Sequence, residues 1–497
     1  MYHKHMATAK QALNDYSYYT SVLNLFEYDG WQTLPPSGRE YRGDSAAFIS
    51  QQANMVLTNS RVRDAAAYFR MIGITPEAYE NPIEFAVARQ LVRLVNRIER
   101  VPAELDAAFV KMALRNQQIW REARANANFD QYKPYMKELF ELRKKIAEAL
   151  DPDRSAYQVM VDMFDEGLDI QEVSRLFGEL KEAIPHLLQE CSPKFRQKSV
   201  PEISAISDPV KMQRVMERVI EQTGFSKENA CFAKVLHPIC YSIGPRDVRI
   251  TLNYHAGVWP FLITSLHECG HGRYSYSSSN AVVQSGLWGC IDGSINEGVA
   301  RFYENMIGRS KSFLRFAYPY VVEEFPEFKT MCVDDIYYAI NRVCPGPIRI
   351  SADELSYSLH PIIRFEMEKD YFDGKTSIDD FREIWNENYR KYLGVVPQND
   401  REGVLQDISW SSGYLGYFQS YALGNMYSAQ FQASILESQP YAWDRIEQGD
   451  FSPINDWMCE KLFQYGKIGN GSEAILRITG KSLSSKAYIH YLENKYI

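Results

Sequence analysis

The chain has 497 residues, 45% of them hydrophobic and 24% charged, with a formal net charge of −8. This is the balance of a globular protein with a sizeable core, and it excludes nucleic acid as a partner, because phosphate binding needs a basic face. The opening 24 residues lack a charged segment followed by an apolar run, and no later stretch approaches 18 consecutive apolar residues, so a soluble protein without secretory signal or membrane contact is expected.

No Pro/Gly/Ser-rich linker, repeat or low-complexity tract divides the chain, which reads as one folded unit over residues 1–497, arranged in two lobes. The eight cysteines are scattered without a CxxC pair, as suits free thiols in a reducing cytoplasm. From Pro82 to Val101, Ala103 to Asn126 and Pro134 to Leu150, apolar residues recur at three and four, which predicts amphipathic helices. Two more follow at Ile170 to Glu190 and Asp208 to Gln222, so the chain is nearly all α up to about residue 225. The charge run Glu141-Leu142-Arg143-Lys144-Lys145 reads as a solvated helix face.

The pattern changes at His237-Pro238-Ile239. Asp247 to Asn253 alternates strictly, which predicts a strand with Val248, Ile250 and Leu252 on one side and Asp247, Arg249, Thr251 and Asn253 on the other. Such a polar row could orient metal ligands or pair its edge with an extended substrate. A half-exposed strand with a surface ion pair is the plain alternative.

After the apolar run Trp259 to Ile263 comes His267-Glu268-Cys269-Gly270-His271, an HExxH motif. Residues four apart share a helix face, so His267 and His271 can offer two imidazoles to one metal ion while Glu268 sits beside them to take a proton from the attacking water. Gly270 and Gly272 each weaken a helix by about 1 kcal/mol, a cost that fits a close approach to the backbone. Cys269 points away and reads as a packing residue.

Zinc hydrolases of this kind need a third protein ligand. Glu297 is the candidate, on a second helix running from Ser294 to Ser310, although Ser294 and Glu297 also match a capping box that would turn the carboxylate to its own helix end. Glu304, two turns on, is its competitor. Further along, Arg349 lies between two β-branched residues, which predicts an extended backbone presenting the guanidinium on its own, suited to gripping a carboxylate. His360 reads as a hydrogen-bonded core histidine or a site residue. The aromatic cluster that follows Trp410, with Tyr417 and Tyr421, reads either as core or as a groove wall whose hydroxyls could stabilise an oxyanion.

Taken in order, Trp31 with LPPSGR, the HP pair, DVRIT, HECGH, NEGV with ENMIGRS, IRISADEL, GVLQDISW and GYFQSYALGNMY resemble the carboxypeptidase Taq family of metallocarboxypeptidases over most of the chain. The resemblance implies a mainly α fold, two helical lobes around a deep groove with a small sheet beside the metal, usually a homodimer. It implies that His267, His271 and Glu297 hold one divalent metal, zinc or alternatively cobalt. It further implies that Glu268 is general base and acid, that Arg349 anchors the free carboxylate of a peptide, and that Asp247, Arg249 and Trp410 contact substrate. Tyr417 and Tyr421 are its candidates for transition-state hydroxyls. Where the family has His-Glu-Ser/Gly-Gln this chain has Asn296-Glu297-Gly298-Val299, and Ser409 replaces the His of Gln-Asp-x-His-Trp. The expected activity is removal of single residues from the C-terminus of peptides. An endo-acting oligopeptidase and a silent metal-holding binder are the alternatives.

Overall fold

The structure, a computed structural model, describes residues 1–196, 203, 206–234, 238–254 and 257–497; His237 of the HP pair lies outside the described residues. Two long helices, Tyr2–Gln32 and Arg39–Thr58, pack as a hairpin ahead of Ser60–Ile72 and Pro82–Arg100. The last begins where the pattern predicts: the Asn81 side chain accepts from the Glu84 amide, Pro82 sits in the first turn and Arg97 and Arg100 close the last one. The helices Ala103–Ala125 and Ile170–Glu190 match their predicted spans, and Pro209–Gln222 starts one residue inside its Asp208 cap. The predicted helix at Pro134 begins earlier, at Phe129, because the Asn128 side chain caps it by accepting from the Gln131 amide; Pro134 sits in its second turn at the cost of one backbone hydrogen bond.

One core gathers Met6, Ala9, Leu13, Phe69, Val87 and Leu91 around the N-terminal helices. A larger one runs from Trp120 to Tyr496 and includes Trp259, Tyr303, Trp385 and Phe418. Arg143 corrects the expectation for its charge run: it is 5% exposed, with its guanidinium 4.8 Å from the centre of the Phe109 ring, while Glu141 and Lys145 do face solvent.

Among the described residues there is one sheet, of three strands: β1 (Ala230–Lys234), β2 (Ile239–Gly244) and β3 (Asp247–Leu252), in the order β1-β3-β2. β1 runs parallel to β3 with Ala230 opposite Val248, and β2 runs antiparallel with Tyr241 opposite Arg249. The alternation holds on the apolar side, where Val248, Ile250 and Leu252 are fully buried. β3 is the central strand, so both its edges are taken and it cannot pair with a substrate. Its polar side is also spoken for: Arg249 grips Asp247 through two hydrogen bonds, and the Thr251 hydroxyl exchanges hydrogen bonds with the backbone of Ile239.

Candidate metal centre

The helix Val258–Tyr276 is buried almost all round, as expected of a helix with apolar residues on every face. It carries His267 and His271 to the edge of a cavity of about 580 Å³. The helix Gly293–Arg301 crosses it at Gly270, where a Cβ would come within 2.9 Å of Ala300 Cα and 3.1 Å of the Val299 carbonyl. On its other side it meets the helix Phe418–Ser438 at Gly424, where a Cβ would lie 2.8 Å from Glu297 Cγ. The glycines therefore set how deeply the glutamate is seated between two helices.

The capping-box alternative does not form. Asp292 caps the second helix, accepting from the Ile295 amide at 2.8 Å, and Ser294 gives its own amide to buried Asp165. Glu297 is left to face the imidazoles, with Oε2 3.9 Å from His271 Nε2 and Oε1 held by Arg301 Nε at 2.8 Å. The second helix then widens into a π-helical stretch, Phe302–Gly308, a form often found at functional sites. It brings Glu304 not to the ligand position but behind His267, whose Nδ1 lies 2.8 Å from its Oε2. Asn296 does the same for His271, with Oδ1 2.9 Å from Nδ1. Both imidazoles thus have their Nδ1 engaged and present Nε2, the arrangement that oxygen partners behind metal-ligating histidines impose.

The donor set fits a small divalent ion. One ligand atom each from His267, His271 and Glu297 lies within 4.8 Å of the others. Tetrahedral bonds of about 2.1 Å place donors roughly 3.4 Å apart, so a small contraction suffices. The field agrees. Burial opposes charge on His267, yet its hydrogen bond to Glu304 and the carboxylates of Glu297, Glu304 and Glu268 raise its pKa to about 9. Burial, and then the charge of His267, push His271 down to about 4. Burial alone would raise Glu304, but the Arg301 guanidinium, with His267 and Arg309, holds it well below the usual carboxylate range. The same field would favour a dication held by His267, His271 and Glu297, whose binding would compete with protonation of the imidazoles. Glu268 is 6% exposed, and burial pushes its carboxyl up to about 7.

Arg349, Tyr357, Tyr417 and Tyr421 line the same cavity. Arg349 sits in a 3₁₀ turn, Arg349–Ser351, and not on the extended backbone expected, and its guanidinium is not alone. Asp407 Oδ1 accepts from Nε at 3.0 Å and from Nη2 at 2.8 Å, while Asp407 Oδ2 takes the buried Arg364. Although burial works against ionisation, the two arginines hold the Asp407 carboxyl at about 2. Two guanidiniums on one carboxylate leave a net positive charge, and among the described residues Arg349 Nη1 has only the Tyr357 hydroxyl, at 3.4 Å, as a hydrogen-bond partner. Burial raises the hydroxyl pKa of Tyr417 and Tyr421, so both are proton donors at neutral pH.

Three expected substrate contacts fall outside. Asp247 and Arg249 bind each other away from the cavity, and Trp410 is 2% exposed, packed edge-on to Phe140 and Trp385 and tilted against Phe381, with its indole N–H on Glu368. His360 is a core residue bonded to Tyr389, and Cys269 is buried as expected. The replaced Val299 is buried against the crossing helix, and Ser409 opens a 3₁₀ turn outside the cavity lining. Sequence reasoning missed Asp407 as the partner of Arg349, although it lies inside the GVLQDISW motif, and took Asn296 for a loss.

Fold and site together define a helical metallopeptidase of the HExxH type. The sequence profile of the carboxypeptidase Taq (M32) metallopeptidase family matches residues 8–496. Carboxypeptidase 1 of Bacillus subtilis is 31% identical over 486 residues, covering 97% of this chain and 95% of that protein. Thermostable carboxypeptidase 1 of Thermus thermophilus is 29% identical, covering 97% and 96%. The crystal structure of the M32 carboxypeptidase from Deinococcus radiodurans superposes with a TM-score of 0.93 at 25% identity, over 99% of this chain and 98% of that one. The chain belongs to the carboxypeptidase Taq (M32) family and is a metallocarboxypeptidase that uses a divalent metal.

Proposed function

We propose that the protein removes single residues from the free C-terminus of peptides, using Glu268 as general base and acid. The observation that carries this reading is the cavity itself, which holds the His267, His271 and Glu297 triad and Glu268 at one place and the net positive Arg349 at another. Two imidazoles and a carboxylate suit zinc, with cobalt as the alternative; held by His267, His271 and Glu297, such an ion would supply Lewis-acid polarisation of the scissile carbonyl and a more acidic water.

Glu268 takes the proton of the attacking water and passes it to the leaving amine. Burial raises its carboxyl above the ordinary glutamate value, which favours a group that takes a proton and returns it. Tyr421 and Tyr417 line the cavity with protonated side chains and are the donors to the oxyanion as it forms. Arg349 Nη1 receives the terminal carboxylate of the peptide, while Asp407 fixes the guanidinium plane. The unpaired thiols of the eight cysteines suit a cytoplasmic location. A homodimer, a mass of twice 57.4 kDa in sedimentation, is the assembly expected of the family.

The experiment is Arg349→Gln. Losing a charge-assisted contact lowers kcat/KM on peptides with a free C-terminus about 100-fold, mostly through KM, and leaves amidated peptides as poor as before. An unchanged preference for the free carboxylate would remove Arg349 from this role and favour the oligopeptidase reading.

A further inference from the structure

The cavity at the metal centre does not end there. A second cavity, of about 420 Å³, meets it at Ser242, Cys290 and Asn296. A third, of about 360 Å³, meets the second at Gln90, Leu94 and Lys467. The direction of this groove follows from the second helix. Asn296 stands at the Cys290 end and Arg301, stacked 4.1 Å from the centre of the Tyr357 ring beside Arg349, stands at the other, roughly 7.5 Å along the axis. A peptide whose carboxylate lies on Arg349 therefore runs past the histidines and into the second cavity with its preceding residues.

Among the described residues Lys467 is the one charged side chain lining that second cavity. Its backbone is fixed, because its amide donates to the Leu287 carbonyl at 2.8 Å and Gly466 before it takes a positive φ at which a Cβ would strike Leu287 and Val282. Its ammonium lies 5.8 Å from the centre of the Trp288 ring. Among the described residues no carboxylate reaches it, whereas Arg93, Arg154 and Arg89 nearby are each paired to acidic side chains. Burial pushes its pKa below the ordinary lysine value, as an enclosed cation without a counter-ion requires.

We propose that Lys467 is a subsite for an acidic side chain on the amino-terminal side of the scissile bond, so that the enzyme favours peptides carrying Asp or Glu a few residues before their C-terminus. This rests on the carboxypeptidase reading above. An incoming carboxylate supplies the missing counter-ion, because the acids of the third cavity, Asp151, Asp162 and Glu166, are already held by Arg154, Arg93 and Arg89. Trp288 forms its wall, and an extended residue spans about 3.3 Å, so a side chain two to four residues before the scissile bond comes within reach.

The test uses full-length Glu268→Gln protein loaded with zinc, which holds peptide without cutting it. Fluorescent peptides with a free C-terminus carry Glu or Ala at each of these positions in turn, and anisotropy reads their binding. At one position the Glu peptide binds at least about tenfold tighter than its Ala twin. Adding Lys467→Met brings the ratio to within about twofold, and Lys467→Arg restores it. Because the readout is a ratio within one protein, a general loss of folding does not imitate it. Equal binding at every position, or a preference that survives Lys467→Met, overturns the proposal. Wild-type protein is tested separately on the Ala peptide. If it removes no terminal residue, the carboxypeptidase reading fails, whatever Lys467 does.

Discussion

At the scale of the residue, the site depends on side chains that hold other side chains. His271 presents Nε2 because Asn296 occupies its Nδ1, and His267 does so because of Glu304. The sequence shows Asn296 only as a departure from a family pattern. Its carbonyl nevertheless does what an orienting partner must do, which is to accept from an imidazole N–H. Asn296→Ala should therefore weaken metal binding about 10- to 100-fold in competition with a chelator, and an unchanged affinity would show that the contact orients nothing. That His267, Glu268 and His271 lie together was legible because HExxH spacing maps directly onto a helix face. Asp407 was not, because its pairing with Arg349 spans 58 residues of chain and no periodicity reports it. Trp410, Asp247 and Arg249 misled for the opposite reason: their motifs match, but the packing turns Trp410 inward and the two charges toward each other.

At the scale of the element, three helices meet at glycines, and that crossing sets the seat of Glu297. Gly270 and Gly272 in the motif announced a close approach, and the Gly270 contact with Ala300 is that approach. Gly424→Ala would push its new methyl into Glu297, 2.8 Å from Cγ, and should cost about 1–3 kcal/mol of stability together with a weakened metal site. Gly178→Ala, mid-helix with nothing within 4 Å of its Cβ, is the control, and should stabilise by about 0.5–1 kcal/mol. If urea unfolding finds the two variants alike, the crossing is looser than described. Long amphipathic helices were readable from their period and caps. The π-helical stretch was not, since a widened turn leaves the spacing of Glu297 and Glu304 unchanged in sequence while separating their roles in space.

At the scale of the whole molecule, the helices of the first 225 residues and the strand at Asp247 follow from the patterns, the mainly α fold as a whole and the small sheet from the family resemblance, and the order of the strands from neither. Alternation shows that β3 has two faces; it cannot say that β1 and β2 flank it. The C-terminal half is tied to the N-terminal half through buried Glu368, which accepts from the Trp410 indole, the Gly416 amide and the Tyr157 hydroxyl. Burial, offset in part by these donors, raises its carboxyl from 4.5 to about 7. The fold therefore favours the protonated form. The resulting stability is full below about pH 4.5 and is lost as pH rises through about 7, by roughly 3 kcal/mol at most. Glu368→Gln, which cannot ionise, should gain on the wild type by up to that amount across this window and no further above it. A stability difference flat in pH would contradict the assignment.

The central claim is that this cavity trims peptides from their free end by the chemistry of Glu268. Its most direct test is mass spectrometry of a short peptide with a free C-terminus beside its amidated twin, each incubated with zinc-loaded protein and with the Glu268→Gln variant. Stepwise loss of single residues from the free peptide alone is expected, slowed about 10² to 10⁴-fold in the variant, with one metal ion retained per chain. Internal cuts in both peptides, or equal turnover in the variant, would contradict it.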